Sequence, residues 1–152
     1  MIYFISFCLA LLLLLMIVSF GRNVDNNIVF LIIAVTIGNG GYYALALSSN
    51  IEEAILATKI TYVMGSVAPM LMFLIICNIC RVSIKRWLHL IMVGIQIIIY
   101  LSVCTIGSSR IFYKTVQFHL GTTGAYISKQ YGPMHMVYLL SLLLYTFAGL
   151  AV

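Results

Sequence analysis

The chain has 152 residues, 64% hydrophobic and 7% charged, with a formal net charge of +5. A soluble domain carries charge on about a quarter of its residues, so this composition excludes a water-soluble core and describes a polytopic membrane protein. The cations are scattered singly or gathered in one short loop, without a basic stripe that could track phosphates, so the expected partner is the lipid bilayer and not nucleic acid.

The first predicted span covers residues 2–20, with Leu11–Leu15 at its centre. No basic residue precedes it and no small-x-small cleavage site comes before Gly21, so it reads as a retained helix and not a signal peptide. Gly21–Asn27 is a polar turn with Arg22 and Asp25. The second span, residues 28–47, is softer and contains Thr36, Gly38, Asn39, Gly40, Gly41, Tyr42 and Tyr43. A buried amide such as Asn39 must find a partner, either as glue between helices or as a contact to a ligand, and glue is the commoner role. The polar loop Ser48–Glu53 holds Glu52 and Glu53, two of the three acids of the chain. Carboxylates there suit the positive end of the next helix. The functional alternative is an outer pocket shared with Lys59, Tyr62, Tyr42 and Tyr43.

The third span covers residues 55–80 and is interrupted by Gly65, Ser66 and Pro69. Lys59 lies about one turn inside, where it can snorkel to the interface. Pro69 removes one helical hydrogen bond and predicts a kink. Arg81–Trp87 then places Arg81, Lys85 and Arg86 within one short loop. Such loops stay cytoplasmic because their charges are costly to carry across, and the amphipathic Trp87 indole suits the point of re-entry. The fourth span covers residues 88–106. Counting crossings from the basic loop puts the amino terminus, Ser48–Glu53 and residues 107–131 outside. Arg110, Lys114 and Lys129 are dispersed along that longer outer loop and do not outweigh the dense inner one.

Within the outer loop, Thr115–Leu120 alternates polar and apolar residues, Gly121-Thr122-Thr123-Gly124 is a turn signal, and Ala125–Tyr131 suits a second strand. A β-hairpin over residues 110–131 is predicted, and it must pack on the helices because two strands are marginal alone. Gly132-Pro133 starts the fifth span, residues 134–152. That span reaches Val152 with no basic anchor or polar tail, so the protein is expected to continue beyond it.

No catalytic constellation is visible. Cys77-x-x-Cys80 lies on an apolar helix without a second pair, which supports neither a zinc nor a thioredoxin-like site. His89, His119 and His135 do not cluster, so no metal and no cofactor is expected. An integral membrane enzyme would need acids or histidines gathered at one depth. A small transporter or channel would line several spans with polar groups, and only Asn39 and Gln96 come close, so it stands as the alternative reading.

The outer side is rich in aromatics: Tyr42, Tyr43, Tyr62, Phe112, Tyr113, Phe118, Tyr126 and Tyr131. They suit either an interfacial belt or a small-ligand pocket. The candidate ligand-binding residues are Asn39, Tyr42, Tyr43, Glu52, Glu53, Tyr62, Gln117, His119 and Tyr126.

The runs Asn26-Asn27, Gly41-Tyr42-Tyr43-Ala44-Leu45, Ser49-Asn50-Ile51-Glu52-Glu53-Ala54 and Lys59-Ile60-Thr61-Tyr62-Val63, with Pro69 and Tyr131-Gly132-Pro133, carry a resemblance. Together they resemble the amino-terminal seven-transmembrane region of bacterial sensor histidine kinases, a region that also heads many diguanylate cyclases (GGDEF proteins). The likeness extends over nearly all the chain after Ile28. It implies an all-α membrane bundle, five spans of seven, with an extracytoplasmic hairpin between spans four and five and a cytoplasmic output domain elsewhere. Function is then signal input, with no enzyme activity in this chain, an unknown small ligand, a bacterial cytoplasmic membrane and a homodimer formed through the full-length protein.

Overall fold

The computed structural model describes residues 2–21, 24–122 and 124–152; Arg22 of the polar turn and Thr123 of the hairpin turn lie outside the described residues. The elements in order are α1 (Ile2–Phe20), α2 (Asn26–Leu47), α3 (Ile51–Ile79), α4 (Arg86–Cys104), β1 (Tyr113–Gly121), β2 (Gly124–Tyr131) and α5 (Pro133–Ala151). All five helices are long and apolar enough to cross a bilayer.

Caps set the boundaries that hydropathy places less well. Asn50 accepts a hydrogen bond from the Glu53 amide at 2.9 Å, and the Glu53 carboxylate accepts from the Ser49 amide and from Asn50 Nδ2, each at 2.8 Å. This reciprocal capping starts α3 at Ile51 and not near residue 55. The Asp25 side chain caps α2 by accepting from the Asn27 amide at 2.7 Å, which brings Asn26 and Asn27 into that helix. Arg86 and Trp87 form the first turn of α4, so only the earlier part of the basic stretch is loop. At the end of α3 the Val82 amide reaches the Cys77 carbonyl at 2.9 Å and the Arg81 amide the Asn78 carbonyl at 3.2 Å. That pairing requires a left-handed residue, and Arg81 fills the place with φ +56°. The helix runs unbroken through Pro69.

The antiparallel pair α2 and α3 is the centre of the bundle. Little hydrophobic force drives helices together in lipid, so close backbone approach has to supply the contact. Gly41 provides it: a Cβ there would meet the Thr61 backbone nitrogen at 2.6 Å. Helix α1 lies against α2, where the Thr36 hydroxyl donates to the Ala10 carbonyl at 3.2 Å. Ala10 is its one buried residue among those described, and Phe4 and Phe7 pack on Tyr43 of α2.

The bundle has two distinct ends. At one, the Tyr3 ring stacks on Tyr42 at 6.1 Å, and the hairpin sits beside the α2–α3 connection. At the other, Asn78 Nδ2 donates to the Asp25 carboxylate at 2.6 Å beside the Arg81–Lys85 loop. One buried cluster, Val103, Ile106, Phe112 and Tyr113, lies under the hairpin, and a second, Met70, Leu71, Leu74, Met92 and Tyr145, lies nearer the basic end.

The hairpin pairs Val116 with Lys129, Gln117 with Ser128, Phe118 with Ile127, His119 with Tyr126 and Leu120 with Ala125. Successive side chains point to opposite faces. Ala125 is buried and Val116, Phe118 and Ile127 are half-buried, while Gln117, His119 and Ser128 are exposed, as the alternation in the sequence leads one to expect; Leu120, next to the turn, departs from it and is 74% exposed. The register slips between Tyr113 and Thr115, and this bulge near Lys114 lets Tyr113 turn into the core at 2% exposure. Gly124 closes the turn at φ +128°, its α-carbon pressed against α2: a Cβ there would meet the Ala46 carbonyl oxygen at 2.9 Å.

Candidate functional site

A hollow of about 280 Å³ lies beneath β2, bounded by α2, α3 and α5. Helix α3 supplies Thr58, Thr61, Tyr62 and Gly65, whose spacing of three, four and seven puts them on one helical face. Tyr42 and Leu45 come from α2, Tyr126, Ile127 and Lys129 from β2, and Tyr138 from α5. Gly65 makes room for the last of these, since a Cβ there would meet the Tyr138 hydroxyl at 2.9 Å.

Aromatic rings hold the wall in place. The Tyr62 ring meets Phe112 edge-on at 5.0 Å and Tyr138 at 5.5 Å, and its hydroxyl is hydrogen-bonded to that of Tyr113. Edge-to-face pairs of this kind add to stability beyond the area they bury. His135, at the start of α5, stacks on Tyr131 at 4.0 Å and 4° and meets Phe112 edge-on at 5.3 Å. Its Nδ1 is buried and finds no hydrogen-bond partner among the described residues.

The polar equipment of the hollow is one cation and several hydroxyls. Lys129 Nζ stands 5.0 Å from the centre of the Tyr113 ring and 5.7 Å from that of Tyr62, a cation–π placement. The residue as a whole is open to water, but its ammonium is partly desolvated, which lowers its pKa below the ordinary lysine value. Burial, with the neighbouring Tyr62, raises the Tyr113 phenol. The Thr58 and Thr61 hydroxyls donate to the Ala54 and Ala57 carbonyls at 2.7 and 3.0 Å, so towards the hollow these oxygens can act only as acceptors.

The residues singled out in the sequence divide into two groups. Tyr42, Tyr62 and Tyr126 line the hollow. Tyr43 turns to α1 and packs on Phe4 and Phe7 at 5.3 and 6.3 Å. Asn39 Nδ2 donates to the Val35 carbonyl of its own helix at 3.0 Å. Glu53 is engaged in the α3 cap and Glu52 is exposed beside it. Gln117 lies on the exposed face of β1, as does His119, whose ring stacks on Tyr126 at 5.2 Å. Arg81, Lys85, Arg86 and Trp87 are exposed at the opposite end of the bundle. Thr58, Thr61, Lys129 and Tyr138 were not singled out. The helical spacing of the threonines with Tyr62, and the two-residue spacing of Ile127 and Lys129, are the signals that could have found them.

A family model, the N-terminal 7TM region of histidine kinase, matches residues 2–152. No curated protein matches the chain, and no solved structure does.

Proposed function

The chain belongs to the N-terminal 7TM region family of histidine kinases, and from that membership we propose that it is the signal-input region of a membrane-bound kinase. The hairpin end faces outward and the end bearing Arg81, Lys85 and Arg86 faces the cytoplasm, in keeping with the cost of carrying clustered cations across. The protein sits in a bacterial cytoplasmic membrane with its amino terminus outside. Two further spans complete the bundle, and a cytoplasmic histidine kinase domain, working as a homodimer, is the output. The description of the matching family, a region of histidine kinases, is what supports a kinase output.

The observation that carries this reading is the hollow under the hairpin. It is shared by four elements, so an occupant contacts α2, α3, β2 and α5 at once. Two of these continue to the opposite end as neighbours, where Phe73 of α3 lies 6.1 Å from Tyr145 of α5. A ligand that favours one spacing of α3 and α5 at the outer end therefore biases their spacing at the inner end. The shift is limited to its difference in affinity for the two arrangements.

ATP-dependent autophosphorylation of the full-length protein in native membranes tests the proposal. Tyr62→Ala and Tyr126→Ala, in the wall of the hollow, are expected to change the phosphorylation level at least threefold. Gln117→Ala, on the outer hairpin face, is expected to leave it unchanged. Equal levels in all three would remove the hollow as the point of signal input, and an absence of phosphohistidine under every condition would remove the kinase output.

A further inference from the structure

We propose that the hollow beneath the hairpin recognises a compact organic anion with an apolar or aromatic body, and that Lys129 is the group that binds its charge. The inference rests on reading this hollow as the signal-input site.

The balance of charge inside the hollow is one-sided. Lys129 is the one Lys, Arg, Asp, Glu or His among the residues that line it. The chain has only three acids, Asp25, Glu52 and Glu53, and none of them lines the hollow. Asp25 caps α2 at the far end, Glu53 accepts two hydrogen bonds at the α3 start, and Glu52 is exposed. The wall therefore presents a positive charge with no carboxylate facing it. A site so built favours an anion and repels a cation, and the repulsion contributes as much to selectivity as the attraction does.

The ammonium is also held in place before anything binds. It rests over the Tyr113 and Tyr62 rings, and those rings are fixed by their mutual hydroxyl bond and by the burial of Tyr113. A preorganised charge loses less freedom on binding than one at the end of a free side chain. Among the other lining residues Tyr42 and Tyr138 carry phenol hydroxyls, which are able to donate to an oxyanion. Leu45, Met64 and Ile127 line the rest, so the body of the ligand is apolar. Carboxylates and phosphates share this chemistry, and the source is either a soluble molecule or the headgroup of an anionic lipid.

The test uses the full-length protein in phosphatidylcholine nanodiscs and three probes of matched shape: 3-phenylpropionate, 3-phenylpropanamide and 3-phenylpropylammonium. Ligand-observed NMR titration gives the affinity of each. The anion is expected to bind at least tenfold more tightly than the amide, and the ammonium compound least tightly of the three. Lys129→Gln is expected to bring the anion down to the affinity of the amide, and Lys129→Arg to restore the preference. Addition of phosphatidylglycerol separates the sources. Weaker binding of 3-phenylpropionate to the wild type, but not to Lys129→Gln, identifies a competing lipid headgroup, whereas an unchanged affinity identifies a soluble anion. Equal binding of anion and amide, both abolished by Tyr126→Ala, would overturn the anion inference and leave the hollow as a site. Binding of none of the three probes would overturn both.

Discussion

Asp25 shows how one carboxylate ties two helices together at the basic end. One oxygen accepts from the Asn27 amide at 2.7 Å and the other from Asn78 Nδ2 at 2.6 Å, so the cap of α2 is joined to the last turn of α3. The Asn27 backbone bond, and then the Asn78 side chain, hold its pKa below the ordinary aspartate value of 3.8. A depressed folded value means that the stabilisation is fully present above pH 3.8 and is lost as pH falls through the folded value. Thermal unfolding in detergent, followed between about pH 5 and 2 around the reference aspartate pKa, is expected to show this loss in the wild type. Asp25→Asn is expected to begin less stable at the upper end and to decline less towards the lower. Parallel curves for the two proteins would show that the carboxylate makes no difference to the coupling of α2 and α3.

At the scale of elements, the hairpin is held at its two ends. Tyr113 anchors the base among Phe112, Tyr62 and Tyr131, and Gly124 anchors the turn against α2. Two strands alone are marginal, so these contacts decide whether the hairpin persists as a cover over the hollow. A β-branched residue at Gly124 would be strained by the backbone, at φ +128°, and blocked by the Ala46 carbonyl. Strain of this kind costs on the order of 1–3 kcal/mol. Gly124→Val is therefore expected to speed amide hydrogen exchange across residues 116–127 by about tenfold or more, since about 1.4 kcal/mol is a factor of ten. The amides of α3 between residues 66 and 76 are expected to keep their wild-type rates. Unchanged exchange in the hairpin would mean that its turn is not fastened to α2.

For the whole molecule the decisive property is sidedness. The start of α1, the α2–α3 connection and the hairpin gather at one end, and Asp25 at the start of α2 and the Arg81–Lys85 loop at the other. Placing the basic end in the cytoplasm is the proposal that joins this arrangement to a kinase output. It is checked in a cysteine-free background with single cysteines at Ser83, exposed in the basic loop, and Ser108, exposed after α4. An impermeant maleimide added to intact cells is expected to label Ser108→Cys and to leave Ser83→Cys unlabelled until the cells are opened. The reverse pattern would invert the topology and place the hollow in the cytoplasm.

The five spans and the hairpin are legible in the sequence because both rest on local sums. A span needs about twenty predominantly apolar residues, and a half-covered strand needs alternation with a period of two. The resemblance to the histidine-kinase 7TM region is legible in short runs such as Gly41-Tyr42-Tyr43 and Tyr131-Gly132-Pro133, and the family match extends over residues 2–152. What converges on the hollow is a different matter. Of the sequence candidates, Tyr42, Tyr62 and Tyr126 meet there, while Tyr43 faces α1, Gln117 and His119 lie on the exposed face, and Glu53 is taken up by a cap. Composition says that all of them lie at the same end, but helix rotation and strand register set the direction of each side chain. Neighbouring tyrosines point about 100° apart on a helix of 3.6 residues per turn, so only the packing of α2 on α3 could choose between Tyr42 and Tyr43. Lys129 reads in the sequence as one more dispersed loop cation; the pairing of β2 with β1 and the docking of the hairpin bring it over Tyr62 and Tyr113.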